Sequence, residues 1–250
     1  LRWDGRAPGR HLDSKFRKGP LPRFETALLE KLRAIEQDLA AVSRRRLGPS
    51  QDSGGRRPRR GVVDLRCGSC LWLLPKIEDR SIDMVFTSPP YCNRYDYTRT
   101  YALELVYLGL DATAVKRLRQ TMLSCTVENH TKHLQLEHLY EGFGHPEVFG
   151  YVSDVFRRQQ ALHEVLGILE SLAAGGCLNN TNIPRMVRNY FFEMAFVIYE
   201  LARVLRPGGK LVMVNDNVRY GGEEIPVDLI LSNVAECVGL RVKRIWTLAR

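Results

Sequence analysis

The stretch Ser81-Ile82-Asp83-Met84-Val85-Phe86-Thr87-Ser88-Pro89-Pro90-Tyr91 constrains this chain most. Met84-Val85-Phe86 is a short unbroken apolar run, which reads as a buried strand of a parallel sheet. The run ends in Ser88-Pro89-Pro90-Tyr91. Neither proline can donate to a ladder or continue a strand. A stiff, extended turn is therefore predicted at the strand's carboxyl end, with a hydroxyl before it and an aromatic ring after it. In open α/β sheets that end is where ligands bind. A rigid turn offering a hydroxyl, two carbonyls and a ring suits a flat, amino-bearing group.

The rest of the pattern alternates between strand and helix. Apolar residues at Leu21, Phe24, Leu28, Leu32, Ile35, Leu39 and Val42 recur at helical spacing, and Arg44-Arg45-Arg46 suits a helix carboxyl end. That helix is expected to pack on a sheet. Residues 48–60 form a Ser, Gly, Pro and Arg linker, with Arg56-Arg57-Pro58-Arg59-Arg60 able to meet phosphates or simply be solvated. Residues 61–66 read as a strand, Gly68-Ser69 as its turn, Cys70 to Pro75 as a short helix and Thr98 to Leu110 as a longer one. Residues 111–188 carry helical pieces (Ala114 to Leu123, Val152 to Ser171) and polar turns, but no sheet pattern. They are long for a connection within one domain. From Tyr190 a helix leads to Arg206-Pro207-Gly208-Gly209, with glycine suited to a left-handed cap, and then to the strand Lys210 to Val214. Gly221-Gly222 and Glu223-Glu224 read as opening a helix over Val227 to Val238, and Arg241 to Leu248 as a last strand. Strands at 61–66, 83–87 and 210–215 are expected to lie parallel in one sheet. The domain reading is 1–60 as amino-terminal loop, helix and linker, 61–110 with 189–250 as core, and 111–188 as an insertion or a helical cover over the sheet.

The 250 residues suffice for one α/β domain with an insertion, and the formal net charge of +9 favours a polyanionic partner. No run of eighteen apolar residues is present, so no membrane span is expected. The six cysteines form a single Cys-x-x-Cys pair, Cys67 and Cys70, with no second pair or histidines at ligand spacing. Reduced thiols and no metal site are expected.

Thr87-Ser88-Pro89-Pro90-Tyr91, preceded by Gly68-Ser69-Cys70-Leu71, Leu74-Pro75 and Asp79 to Asp83, resembles the amino-group DNA methyltransferases. The run from Pro89 to Leu108, with Tyr91-Cys92-Asn93-Arg94-Tyr95-Asp96-Tyr97, is similar to one bacterial branch of that family. The resemblance implies an α/β, class I (Rossmann-like) S-adenosylmethionine methyltransferase sheet, duplex DNA as substrate and base flipping. It further implies a cytoplasmic, nucleoid-associated bacterial or archaeal setting, with a cognate restriction endonuclease as a possible partner. By the same resemblance, Ser88, Pro89, Pro90 and Tyr91 are the catalytic residues. Gly68, Ser69, Cys70 and Thr87 fall to the cofactor, and Asn93, Arg94, Tyr95 and Arg99 to DNA. For Arg94 and Arg99, ion pairs with Asp96 or Glu104 are an equal alternative. The insertion 111–188 corresponds to where such enzymes read their target. Ser at position 88 leans toward N4 of cytosine over N6 of adenine, and Ser69 stands where relatives often carry Asp. Cys92 is not expected to be a nucleophile, because the carbon-methylating enzymes place cysteine after a single proline.

Such enzymes bind the cofactor with a strand, a glycine-rich turn and a helix. No Phe-x-Gly-x-Gly or Gly-x-Gly follows an apolar strand here. The chain is therefore expected to lack the cofactor loop and its first strands, which a missing segment or a second chain would supply. Two other functions compete: N-methylation of RNA or of a protein glutamine, and a catalytically incomplete remnant that binds DNA or a partner.

Overall fold

The computed structural model describes residues 23–47 and 62–247. The expectations for 1–22 and for the basic linker 48–60 lie outside the described residues. The chain forms two compact units, the first reaching Val63 and the second Asp64–Arg250.

In the first unit, helix α1 (Phe24–Leu47) forms where the three- and four-residue apolar spacing predicts it. Its stripe of Phe24, Leu28, Leu32, Ile35 and Leu39 is exposed.

The second unit is built on α9 (Ile183–Val204). Pro184 sits in its first turn, where a missing N–H costs nothing. Its apolar residues surround the whole helix rather than one stripe, as expected for a central helix. Helices α7 (Pro146–Arg157), α8 (Gln160–Ala174) and α10 (Val227–Cys237) pack on it. Helix α6 (His133–Gly142) packs on α7. Tyr190, Phe191, Phe196, Leu162, Leu169 and Val152 are among the fully buried side chains of this core. Residues 111–188 thus contribute to the same apolar core as 189–250.

The sheet is parallel. Strand β1 (Ile82–Thr87) pairs with β2 (Leu205–Met213), Met84 opposite Lys210 and Thr87 opposite Met213. Facing residues of a parallel pair share a side, so Val85, Leu211 and Met213 turn together onto the core, while Met84 and Phe86 are exposed on the other face. The Arg206-Pro207-Gly208-Gly209 turn does not cap α9. Leu205 is already extended and pairs with Ile82, and the four residues bulge out of β2 before pairing resumes at Lys210. Gly208 takes φ +81° in this bulge. At Gly209 a Cβ would lie 2.8 Å from the Arg206 carbonyl oxygen and 3.2 Å from that of Asp83, so only glycine fits.

Several sequence expectations are corrected. Residues 62–66 and 241–247 are not strands. Val62, Val63, Leu65, Ile245 and Trp246 are exposed, and apolar character makes a strand only where a ladder partner exists. Gly221-Gly222 turns a hairpin instead of opening a helix. Both take positive φ, as a tight two-residue hairpin turn requires, and join β3 (Val218–Tyr220) to β4 (Glu223–Ile225). The Thr98 to Leu110 helix is two, α3 (Tyr97–Thr100) and α4 (Ala102–Tyr107), broken at Tyr101. Likewise the Val152 to Ser171 piece breaks at Arg158-Gln159, between α7 and α8. Helix α5 spans Ala112–Thr121 and α2 spans Cys70–Leu73.

Candidate active site

The Ser-Pro-Pro-Tyr turn leaves β1 at its carboxyl end. The last ladder bond runs from the Val214 N–H to the Thr87 carbonyl at 2.9 Å. Because the strands are parallel, Ser88–Tyr91 and Asn215-Asp216-Asn217 emerge from the same end of the sheet. Asn217 is occupied in starting α10, its Oδ1 accepting from the Asp228 N–H at 3.1 Å.

Within the turn, Pro89 is buried, Ser88 is exposed and Tyr91 is half-buried. The Ser88 hydroxyl donates to the Tyr91 hydroxyl at 3.3 Å. Tyr91 is itself anchored through its carbonyl, which accepts from the Asn93 N–H at 2.8 Å. Beneath the turn, the Tyr220 hydroxyl donates to the Cys92 carbonyl at 2.6 Å, tying it to the β3–β4 hairpin. Burial pushes the Cys92 thiol well above its ordinary range, the Cys125 thiol up to about 12 and the Cys70 thiol up to about 11. Burial of this kind disfavours the thiolate that a nucleophilic cysteine needs. All six cysteines are free thiols. Among the described residues no group of three His, Cys, Asp or Glu is arranged to hold a metal.

The segment after the turn is held from several sides. The Asn93 Oδ1 accepts from the Tyr95 N–H at 3.1 Å. Arg94 takes φ +64° and donates to the Asn179 side chain at 2.6 Å. Tyr95 and Tyr97 meet edge to face at 5.0 Å. Arg99 lies 3.2 Å from Asp96 and 2.7 Å from Glu128, with its side chain mostly exposed. Asn93, Arg94, Tyr95 and Arg99 are therefore gathered beside the turn, and Arg99 pairs with Asp96 and Glu128 rather than with Glu104. Sequence reasoning missed Tyr220, Asn179, Glu128, Arg119 and Cys125. No local signal marks them, since each is brought in by tertiary packing.

Gly68, Ser69 and Cys70 form the entry to α2, which packs on α9. The buried Ser69 hydroxyl has no hydrogen-bond partner and makes no cap bond. Glycine at 68 is explained by packing, because a Cβ there would lie 3.1 Å from Leu73 Cδ1. Thr87 uses its backbone in the ladder. One orphan hydroxyl does not make a site for S-adenosylmethionine, which needs a carboxylate for its ribose and a cradle of backbone donors. Asp64, just before Gly68, is paired with Arg66. Gly68, Ser69 and Cys70 by themselves do not fit the cofactor.

No family model matches the chain, and no solved structure matches it. Its relatives are methyltransferases. It is 42% identical over 231 residues to the Type II methyltransferase M.BsoBI of Geobacillus stearothermophilus, which covers 92% of this chain and 43% of that protein. It is 44% identical over 250 residues to the Type II methyltransferase M.AvaI of Nostoc sp. strain PCC 7120, covering 99% of this chain and 48% of the relative. M.AvaI of Anabaena variabilis matches equally. The chain spans a little under half the length of the curated relatives it matches. Over this stretch it is similar to Type II methyltransferases, in line with the DNA methyltransferase resemblance of the Ser-Pro-Pro-Tyr run.

Proposed function

We propose that this chain carries the catalytic turn of a site-specific DNA methyltransferase acting on an exocyclic amino nitrogen, N4 of cytosine ahead of N6 of adenine. The observation that carries this reading is the Ser88–Tyr91 turn at the carboxyl end of a parallel strand, Ser88 Oγ 3.3 Å from Tyr91 Oη. The identity to Type II methyltransferases supports it. On this reading β1 and β2 are two strands of a class I (Rossmann-like) sheet, and residues 111–188 read the target sequence. Duplex DNA is the substrate, and a cognate endonuclease is the natural partner.

The chemistry follows from the amine. Its lone pair is delocalised into the ring, so it is a poor nucleophile. Acceptors aimed at the amino protons draw the pair back onto nitrogen and stabilise the charge that develops there. Ser88 Oγ and the Pro89 carbonyl are those acceptors. By donating its own proton to Tyr91, the Ser88 hydroxyl leaves its lone pairs for the incoming amine. The base must leave the duplex to reach the turn, and Tyr91 stacks on it there. S-adenosylmethionine supplies the electrophilic methyl group. No covalent enzyme intermediate is required, which accords with protonated Cys92.

The test is transfer of labelled methyl to duplex DNA by the chain supplied with a strand–glycine loop–helix segment for the cofactor, followed by analysis of the modified nucleosides. N4-methylcytosine or N6-methyladenine is expected, whereas 5-methylcytosine, or label only in RNA or in protein, overturns the reading. Stacking is worth about 1–3 kcal/mol per base. Tyr91→Ala is therefore expected to cut turnover by about five- to 160-fold, and unchanged turnover removes the stacking role.

A further inference from the structure

Asp96 is a nearly buried carboxylate four residues beyond Cys92, with 8% of its side chain exposed. It starts α3, accepting from the Thr98 N–H at 2.9 Å and the Thr98 hydroxyl at 2.6 Å. A helix of four residues does not hold itself together, and a buried carboxylate needs a partner. Arg119, on α5, meets both needs. Its Nε lies 3.0 Å from Asp96 Oδ2, and its Nε and Nη2 donate to Thr98 Oγ1 at 3.1 and 2.9 Å. Asp96 Oδ2 receives no well-directed hydrogen bond, so the attraction there is between charges. Arg119 is only 17% exposed, unlike Arg99 at 68%. It is thus placed to hold the protein's own loop rather than a phosphate.

Arg119 is itself anchored. Its carbonyl accepts from the Asn129 side-chain amide at 2.8 Å. The Asn129 Oδ1 accepts from the N–H groups of Cys125 and Thr126, closing a tight turn. From that turn the Cys125 thiol donates to the Tyr95 carbonyl at 3.4 Å. Next to it, the Ser124 N–H and hydroxyl donate to Glu193 of α9 at 2.8 and 2.5 Å. Lys132 Nζ bonds Ser124 and Glu193, each at 2.9 Å. A continuous polar chain therefore runs from the central helix to the segment that follows the Ser-Pro-Pro-Tyr turn.

We propose that Arg119 is a positioning residue for methyl transfer, fixing the Tyr95–Thr100 segment, and through it Tyr91, by gripping Asp96 and Thr98 together. The inference rests on the methyltransferase reading above. Arginine suits this grip because Nε faces both Asp96 and Thr98 while Nη2 adds a second bond to Thr98, which the single nitrogen of lysine cannot supply.

Arg119→Lys keeps the charge and removes the second donor, and Thr98→Val removes the hydroxyl that accepts from Arg119 and donates to Asp96 while leaving the Arg119 side chain in place. Misplacement of a reacting group by about 1 Å can cost on the order of a hundredfold. Arg119→Lys is expected to lower kcat by at least about tenfold with the KM for duplex DNA unchanged. Thr98→Val is expected to lower kcat in the same direction with the same constant KM. In the free chain, amides 97–101 should exchange faster in both variants while those of α9 keep their protection. Wild-type kcat in Arg119→Lys, or a loss carried by KM, overturns the proposal, the latter marking a DNA contact instead. If the unsubstituted chain, supplied with a strand–glycine loop–helix segment for the cofactor, transfers no methyl, the functional reading fails and amide exchange still decides the grip. Unchanged exchange at 97–101 refutes it, and faster exchange confined there upholds it.

Discussion

Glu193 and Lys132 are 1% and 2% exposed and 2.9 Å apart. Burial raises the Glu193 carboxyl more than Lys132 and Ser124 lower it. Breaking a buried pair by removing one partner costs about 3–5 kcal/mol, so Lys132→Met is expected to lower unfolding stability by about that much in denaturant titration. The sign with pH is set by the carboxyl left behind. Without the ammonium its folded value stays above the unfolded one, so the folded state binds the extra proton. The cost should shrink on acidification toward the ordinary glutamate range and grow as pH rises above it. A cost independent of pH would mean that Glu193 is not the charge left unpaired. Neither residue announces itself in sequence: Lys132 stands among polar residues, and Glu193 interrupts an apolar helix as an exposed residue would. By contrast, Ser88-Pro89-Pro90-Tyr91 is legible at once, since two prolines dictate the backbone whatever surrounds them.

Elements were read well where their periodicity is self-contained. The spacing in α1 and the apolar helix α9 announce themselves, and Gly209 marks a place where the chain must pass close to another strand. Gly209→Ala would press a methyl against the Arg206 and Asp83 carbonyls and 3.0 Å from Leu205 Cδ2. Overpacking of that kind costs about 1–3 kcal/mol, and the expected fall in thermal midpoint is measurable by calorimetry. Phe86 makes the opposite case. It reads as core from sequence, yet it is 71% exposed on the outer face of β1. Phe86→Ser should change stability by no more than about 0.5 kcal/mol, and a larger loss would show that the outer face is covered in solution. Residues 62–66 and 241–247 are not strands for a related reason. A strand is a property of a pair, and the composition of one run does not say whether a partner lies beside it.

For the molecule as a whole, the described residues gather the groups proposed to meet the base at the carboxyl end of β1. Calorimetry of this chain with S-adenosylmethionine at about 1 mM is expected to give no binding isotherm, since no Gly-x-Gly turn follows an apolar strand to supply the backbone donors. Micromolar binding would overturn this and point to the turn at Gly68–Cys70. No helix among the described residues is long and apolar enough to cross a membrane. What the sequence determined by itself is local and steric: the stiff turn after an apolar strand, the helical repeats, the glycines at reversals, and the positive charge. What only tertiary structure decided is which distant groups meet. Arg119 finds Asp96 as α5 packs on α3, Lys132 finds Glu193 on the central helix α9, and Tyr220 finds the Cys92 carbonyl from the β3–β4 hairpin. Burial then turns such pairings from optional surface contacts into requirements, because a polar group removed from water must be satisfied within the fold.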